Sequence, residues 1–497
     1  MVEKRLQETA MHVHGKDGER LTLAGLRKGI LGIDTVVPLL DGRERPYVFL
    51  DNAASTPTFK QVMKCIEEFL PWYSGVHRGT GFKSILATEV FDRAHDVVAQ
   101  FVGADLSSNL VIFTKNTTEA INKLSNRFGF APGEVVVTTA LEHHSNDLPW
   151  RKNAEVVHVG LTKEGRVDLD ALKGAIRQYT GHVKMVAISG ASNITGVCQP
   201  IHEIAGWAHD AGAAIFVDAA QLAPHREIQI LPNDDRCHID FLAFSAHKIY
   251  APFGTGVLVG PTEFFEQGEP DMVGGGVVDV VTLDTVLWNQ TPHRDEAGSP
   301  NVIGAVALAE AISILQSVGM NAIAAHEETL LDYAYGKLKR IHGVHLYGPT
   351  DNLSEKVGVI PFTVEDMHHG LVAAILAAEG GIGVRNGFFC AQPYVKRLLN
   401  VSPEEEREAG CGTGNADKSL VPGMVRASLG CYSNEADIDL FLEMLERIVR
   451  REYKGEFVQD PSSGSFVPTG YDLAFNKYFS FFDSVASVKE RTYSESS

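Results

Sequence analysis

Asp240-Phe-Leu-Ala-Phe-Ser245-Ala-His247-Lys248-Ile-Tyr-Ala-Pro-Phe-Gly254-Thr-Gly256 decides the reading of this chain. The apolar run from Phe241 to Phe244 predicts a buried strand that delivers a serine, a histidine and a lysine at its end. A glycine-punctuated turn and a second apolar run, Val257-Leu-Val, follow. Desolvation at such a position lowers the pKa of a lysine and frees the nucleophilic amine that a carbonyl cofactor requires. Upstream, Ala213-Ala-Ile-Phe-Val-Asp218-Ala-Ala-Gln221 repeats the design with an acid at the strand end. The pair predicts pyridoxal 5'-phosphate (PLP), with Lys248 on its aldehyde and Asp218 on its ring nitrogen. A carboxylate there keeps the pyridine protonated, which makes the ring an electron sink.

Working outward, short apolar runs alternate with helix-length amphipathic segments from Tyr47 to about residue 310. The runs include Leu110 to Phe113, Glu134 to Val137, Lys184 to Ile188 and Ala214 to Val217. This alternation predicts an α/β fold with a mainly parallel sheet covered on both faces and ligands outside the carboxyl ends of its strands. Residues 301–319 predict a long helix leaving the sheet. The expected division is an N-terminal extension over 1–45, a large PLP-binding domain over 46–310, a smaller α+β domain over 311–452 and a C-terminal extension over 453–497. Within the smaller domain, the polar, glycine-rich stretch at about 402–420, with Glu404-Glu-Glu-Arg-Glu, is expected to be a mobile insertion that covers the site or docks a partner. The aromatic tail after Tyr453 reads as irregular.

Composition narrows the function classes. With 44 Lys and Arg against 63 Asp and Glu, the formal charge is −19, which argues against a nucleic-acid partner and favours a cytoplasmic setting. Six cysteines without a CxxC pair or zinc-type spacing point to a reducing compartment and no metal site. The first twenty residues mix charges and histidines, so no exported leader is expected, and no apolar run approaches a membrane span.

Further candidates sit after the other predicted strands. Asn116-Thr117-Thr118 opens a helix, where hydroxyls and amides suit a phosphate dianion; taken alone, an N-cap explains them as well. Ser245 and His247 would close the same cradle. His143 would stack on the pyridine ring and shuttle protons, although a lone histidine is commonly structural. Asn193 and Gln221 would serve the cofactor's phenolic oxygen, against an Asx turn as the simpler reading of Asn193. Arg426, amid small and apolar neighbours, and Arg385 offer a bidentate grip on a substrate carboxylate. Cys390 reads either as a buried inert thiol or as an exposed nucleophile beside positive charge.

Taken together, the motifs resemble the class V aminotransferase family of fold-type I PLP enzymes, and within it the group II cysteine desulfurases and selenocysteine lyases. The carriers are Phe49-Leu-Asp51-Asn-Ala-Ala-Ser55, His77-Arg78-Gly79, Thr117-Thr118-Glu119, Glu142-His143-His144, Asp218-Ala-Ala-Gln221, Ser245-Ala-His247-Lys248, Glu296-Ala-Gly298-Ser299-Pro300, Cys390-Ala-Gln-Pro393 and Arg426-Ala-Ser-Leu429. They run in family order over roughly residues 46 to 450. The resemblance implies a seven-stranded sheet and a homodimer in which Ser299 of one subunit reaches the other's phosphate. Lys248 moves the Cα proton, Thr118, Ser245 and His247 hold the phosphate, and Asn52 and Ala53 meet the substrate beside Arg426 and Arg385. Cys390 takes sulfur from L-cysteine as a persulfide, leaving alanine, and a protein acceptor collects it. The alternative is another class V reaction (an epimerase, C–S lyase, selenocysteine lyase or aminotransferase) that does not use the cysteine as sulfur carrier. The family usually carries two histidines before that cysteine, where this chain has Phe388-Phe389, and a histidine shortly after His77-Arg78-Gly79 is replaced by Gly81. The apolar flank is expected to give a thiolate less support.

Overall fold

The computed structural model describes residues 22–408, 421–461 and 463–481. Most of the insertion expected at about 402–420 lies outside them; within it, Pro403–Glu408 is a short helix.

Seven strands build the large sheet: β1 (Asn109–Thr114), β2 (Val135–Thr139), β3 (Glu155–Val159), β4 (Val183–Ser189), β5 (Ala214–Asp218), β6 (Phe241–Ser245) and β7 (Gly256–Pro261). Their order is β1-β7-β6-β5-β4-β2-β3. β1, β2 and β6 are buried along their whole length, as expected of strands covered on both faces, which read as continuous apolar runs. Six strands run one way and β7 opposes both neighbours. The reason is length: ten residues join β6 to β7, too few for the crossover that a parallel neighbour needs. β6 itself stops at Ser245, and Lys248 closes a 3-10 turn, Ala246–Lys248, inside that link.

Parallel register brings strand ends level: Ser189 pairs with Asp218, and Asp218 with Ala243. Helices α1 (Phe82–Val102) and α2 (Thr117–Phe128) follow the chemistry-bearing loops, and α3 (Ile201–Asp210) covers β5. The helix expected over 301–319 is α4 (Val302–Val318), buried along much of its length against α1. α4 meets α5 (Met320–Leu338) at a bend of 74°, and among the described residues no single helix is long and apolar enough to cross a membrane.

A second sheet, β8 (Val344–Leu346), β9 (Val359–Val364), β10 (Arg385–Gly387) and β11 (Met424–Ser428), is ordered β8-β9-β11-β10 and is antiparallel throughout. Helices α5, α6 (His369–Gly380) and α7 (Glu435–Val449) contribute to its own apolar core. The two bodies meet where Asp51 bridges Ser428.

The described parts of both extensions contain regular structure. Thr22 caps the helix Leu23–Gly29, and Arg27 grips Asp437 at 2.7 and 2.9 Å. The tail read as irregular forms a hairpin, Phe457–Gln459 with Phe466–Pro468, whose turn uses Gly464 at φ +74°. Tyr471 then donates to the Pro38 carbonyl at 2.7 Å.

Candidate active site

The carboxyl ends of β1, β2, β4, β5 and β6 converge on a cavity of about 330 Å³. It brings together Ala53, Thr117, Thr118, His143, Asn193, Asp218, Gln221, Ser245, His247, Lys248, Arg385, Cys390 and Arg426. Of the expected site residues only Asn52 and Ser299 do not line it. Asn52 is buried and spent on structure: its amide donates to the Phe49 and Ser428 carbonyls and its oxygen accepts from Tyr432. Ser299 lies exposed before α4.

At the start of α2, Asn116 caps the helix by accepting from Glu119 N–H, so the bland reading holds for that residue. Thr117 and Thr118 face the cavity beside it. Thr117 N–H donates to Ser245 Oγ at 2.8 Å, the two hydroxyls lie 2.7 Å apart, and Thr118 Oγ1 meets Ser145 Oγ at 2.7 Å. Hydroxyls at the amino end of a helix thus gather on one side of the cavity, an arrangement that suits a phosphate. Gly256 allows the tight approach of β7 to this turn: a Cβ there would lie 2.4 Å from Asn116 Cα.

Burial sets the charges. It lowers the Lys248 amine to about 8, against the pull of Asp218, and Arg426 assists the lowering. Burial also raises the Asp218 carboxyl, opposed by the Ala220 N–H it accepts at 2.9 Å and by Lys248. Burial and the nearby Lys248 cation depress His143 to about 3, so its ring is neutral. Its Nδ1 accepts from Ser145 N–H at 3.1 Å, which leaves the proton on Nε2. Burial likewise depresses His247 to about 4. Behind the cavity Glu142, fully buried, rises to about 7 while accepting from Thr139, Ser189 and Asn146 at 2.6–2.7 Å.

The second sheet supplies the other wall. Buried Arg426 donates to the Asn193 carbonyl at 2.9 Å, faces Phe389 with its guanidinium 4.8 Å from the ring centroid, and keeps a buried Nε without a partner. Burial lowers it to about 10. Asp51 ties both arginines together, at 2.7 Å from Arg385 and 3.3 Å from Arg426. Cys390 is exposed on the cavity, which excludes the buried inert thiol. Phe389 and Cys390 take φ +50° and +57°, consecutive left-handed conformations of the kind that cost of order 1–3 kcal/mol each unless the surroundings hold them.

Three of those holding contacts carry no sequence signal. His144 N–H donates to the Cys390 carbonyl at 2.7 Å, Gln392 N–H to His144 Nε2 at 3.3 Å, and Asn193 Nδ2 to the Phe389 carbonyl at 2.8 Å. Asn193 therefore spends one N–H on the cysteine loop, and Gln221 spends one on the Ala53 carbonyl at 2.6 Å. Each amide retains its second N–H for a phenolic oxygen. Gln221 Oε1 is buried at the cavity without a partner.

The spare N–H groups of Asn193 and Gln221, the hydroxyl cradle and a buried amine opposite a buried carboxylate fit PLP. The strand-end rim and this donor set define a fold-type I PLP-dependent enzyme. The aminotransferase class-V model matches residues 48–441, and the chain belongs to that family. A probable cysteine desulfurase of Halalkalibacterium halodurans is 35% identical over 434 residues, covering 85% of this chain and 98% of the relative. A cysteine desulfurase of Haloferax volcanii is 36% identical over 415 residues, covering 82% and 90%. Among solved structures, the apo cysteine desulfurase of Thermococcus onnurineus NA1 matches with a TM-score of 0.72 at 34% identity, covering 82% of this chain and 95% of that one. The cysteine desulfurase CsdA (S-sulfonic acid) of Escherichia coli gives 0.71 at 28% identity, covering 88% and 100%.

Proposed function

We propose that this chain is a PLP-dependent cysteine desulfurase that converts L-cysteine to L-alanine and receives the sulfur on Cys390 as a persulfide. The observation that carries the reading is an exposed cysteine sharing one cavity with Lys248 and a buried arginine that has a free N–H.

When bound, PLP supplies an aldehyde for the substrate amine and a ring that withdraws charge from its Cα. Thr117, Thr118, Ser245 and His247 would hold the phosphate, Asp218 would keep the proton on the ring nitrogen, and the neutral His143 would face the ring. Asn193 and Gln221 use their remaining N–H groups on the phenolic oxygen. Arg426 grips the substrate carboxylate, with Arg385 and Asp51 fixing the angle of that grip and Ala53 bounding the substrate's place. Lys248, with a pKa of about 8, has enough neutral amine around neutral pH to take the Cα proton. Cys390 Sγ, as thiolate, attacks the substrate sulfur and forms the S–S bond; the Cβ–S bond breaks with its pair left on the substrate carbons, and one proton at Cβ together with the return of a proton to Cα completes alanine. Lys248 and Arg426 lie within electrostatic reach of Cys390.

The reading extends to a homodimer, a protein sulfur acceptor and a cytoplasmic location. Exposed Ser299, together with the apolar hairpin carrying Val281 and Leu283, supports the first, the partner subunit's Ser299 completing the phosphate cradle.

The test is to supply L-cysteine to PLP-loaded protein, quantify alanine, and weigh the protein for an added sulfur atom on Cys390. Absence of alanine rejects the proposal. Alanine made at an undiminished rate by Cys390→Ala would assign the chain to class V chemistry without a cysteine carrier.

A further inference from the structure

The strand that leads to Lys248 starts beside Asp240, and this opposite end has chemistry of its own. Asp240 Oδ2 lies 2.9 Å from His209 Nε2, on α3, and its Oδ1 lies 3.1 Å from His238 Nε2. The two imidazoles stack with centroids 4.3 Å apart and an interplanar angle of 20°. All three side chains are 13–18% exposed, so the cluster is enclosed yet open to solvent. We propose that His209, His238 and Asp240 form a site for a divalent transition-metal ion of the zinc type, separate from the active site.

The outer hydrogen bonds carry the argument. His209 Nδ1 lies 2.7 Å from the Arg236 carbonyl, and His238 Nδ1 lies 2.6 Å from the Asp235 carbonyl. A carbonyl only accepts, so each Nδ1 bears the proton and each Nε2 is the atom turned toward the carboxylate. Backbone carbonyls on the far nitrogen are the usual means of fixing a metal-ligating histidine. Asp240 is oriented as well, because Ile215 N–H donates to its Oδ2 at 2.8 Å. The carrying loop is pinned by Cys237, whose N–H donates to Asp235 and whose carbonyl accepts from His202 Nδ1.

The spacing suits a metal. Ligand bonds of about 2.0–2.1 Å in a tetrahedron set donor atoms about 3.3 Å apart. Here one ligand atom from each of the three residues lies within 4.8 Å of the others, so side-chain shifts of about 1.5 Å or less bring them to that spacing. Three protein ligands leave a fourth position for water. The ion would join α3, the loop over residues 235–238 and the start of β6.

PLP-loaded protein, stripped with a chelator and dialysed, is titrated calorimetrically with Zn²⁺. One site is expected whose affinity falls at least tenfold in the His209→Gln/His238→Gln double variant, which leaves the His77–Asp92–His293 group intact. Equal binding by the variant overturns the proposal. Co²⁺ added to unmutated protein gives a readout independent of the variant's folding. Visible bands of four-coordinate nitrogen and oxygen ligation, without sulfur-to-metal charge transfer, support the site. Their absence, or a thiolate signature alone, refutes it.

Discussion

Glu142→Gln gives a measurable consequence of the buried network behind the cavity. Glu142 is fully buried and its carboxyl is pushed from 4.5 up to about 7 by desolvation, against three side-chain hydrogen bonds that lower it. The folded chain thus keeps a proton that the unfolded chain releases. The stabilisation from this group is complete below about pH 4.5 and is lost as pH rises to about 7. At about 1.4 kcal/mol per pH unit the loss amounts to about 3 kcal/mol across that window. Glutamine keeps the size and two polar ends but cannot ionise. Urea unfolding of both proteins at pH 5, 6, 7 and 8 should show the parent losing about 2.5 kcal/mol relative to the variant, mostly below pH 7, and little more at pH 8. Because Ser189 and Asn146 bond this carboxyl, the same ionisation reaches the floor of the cavity. A difference between the proteins that is flat in pH would refute the reasoning.

Three further outcomes are expected. Arg426→Lys keeps the charge but loses the planar fork and the Phe389 stack, so KM for L-cysteine should rise roughly 10–100-fold, with kcat changing less; steady-state kinetics with an unchanged KM would remove Arg426 from the carboxylate site. Asp51→Asn weakens the charged tie to both arginines, and the loss of about 1–2 kcal/mol of charge-assisted bonding should raise KM roughly 5–30-fold while PLP absorbance is retained. Gly256→Ala forces β7 away from Asn116, at about 1–3 kcal/mol, and should weaken PLP binding in a spectroscopic titration while leaving far-ultraviolet circular dichroism intact.

The large sheet was legible because β1, β2, β4, β5 and β6 are near-continuous Val, Ile, Leu and Phe runs, the pattern that burial on both faces demands. Lys248, Asp218 and His143 were legible for a related reason: each stands just past such a run, and parallel strands bring their ends to one rim. Contacts across long separations were not. Asp51 joins an arginine 375 positions away, and His144 reaches Gln392 across 248, with no local pattern to announce either. Asn52 was assigned from its neighbours in the motif, whereas its amide closes the seam between the two bodies. The hairpin at 457–468 escaped because two three-residue strands carry too little periodicity to show.

The link from β6 to β7 is ten residues long and bound at both ends, with Ala246 N–H on the Thr255 carbonyl and Thr56 N–H on the His247 carbonyl. A bridge so short and so tied leaves Lys248 little freedom of position. Arg385 and Arg426 stand instead on β10 and β11 of the other sheet, with Cys390 on the loop that follows β10. Diversification of what this scaffold accepts would therefore proceed by rewriting one half of the molecule while the other stays constant.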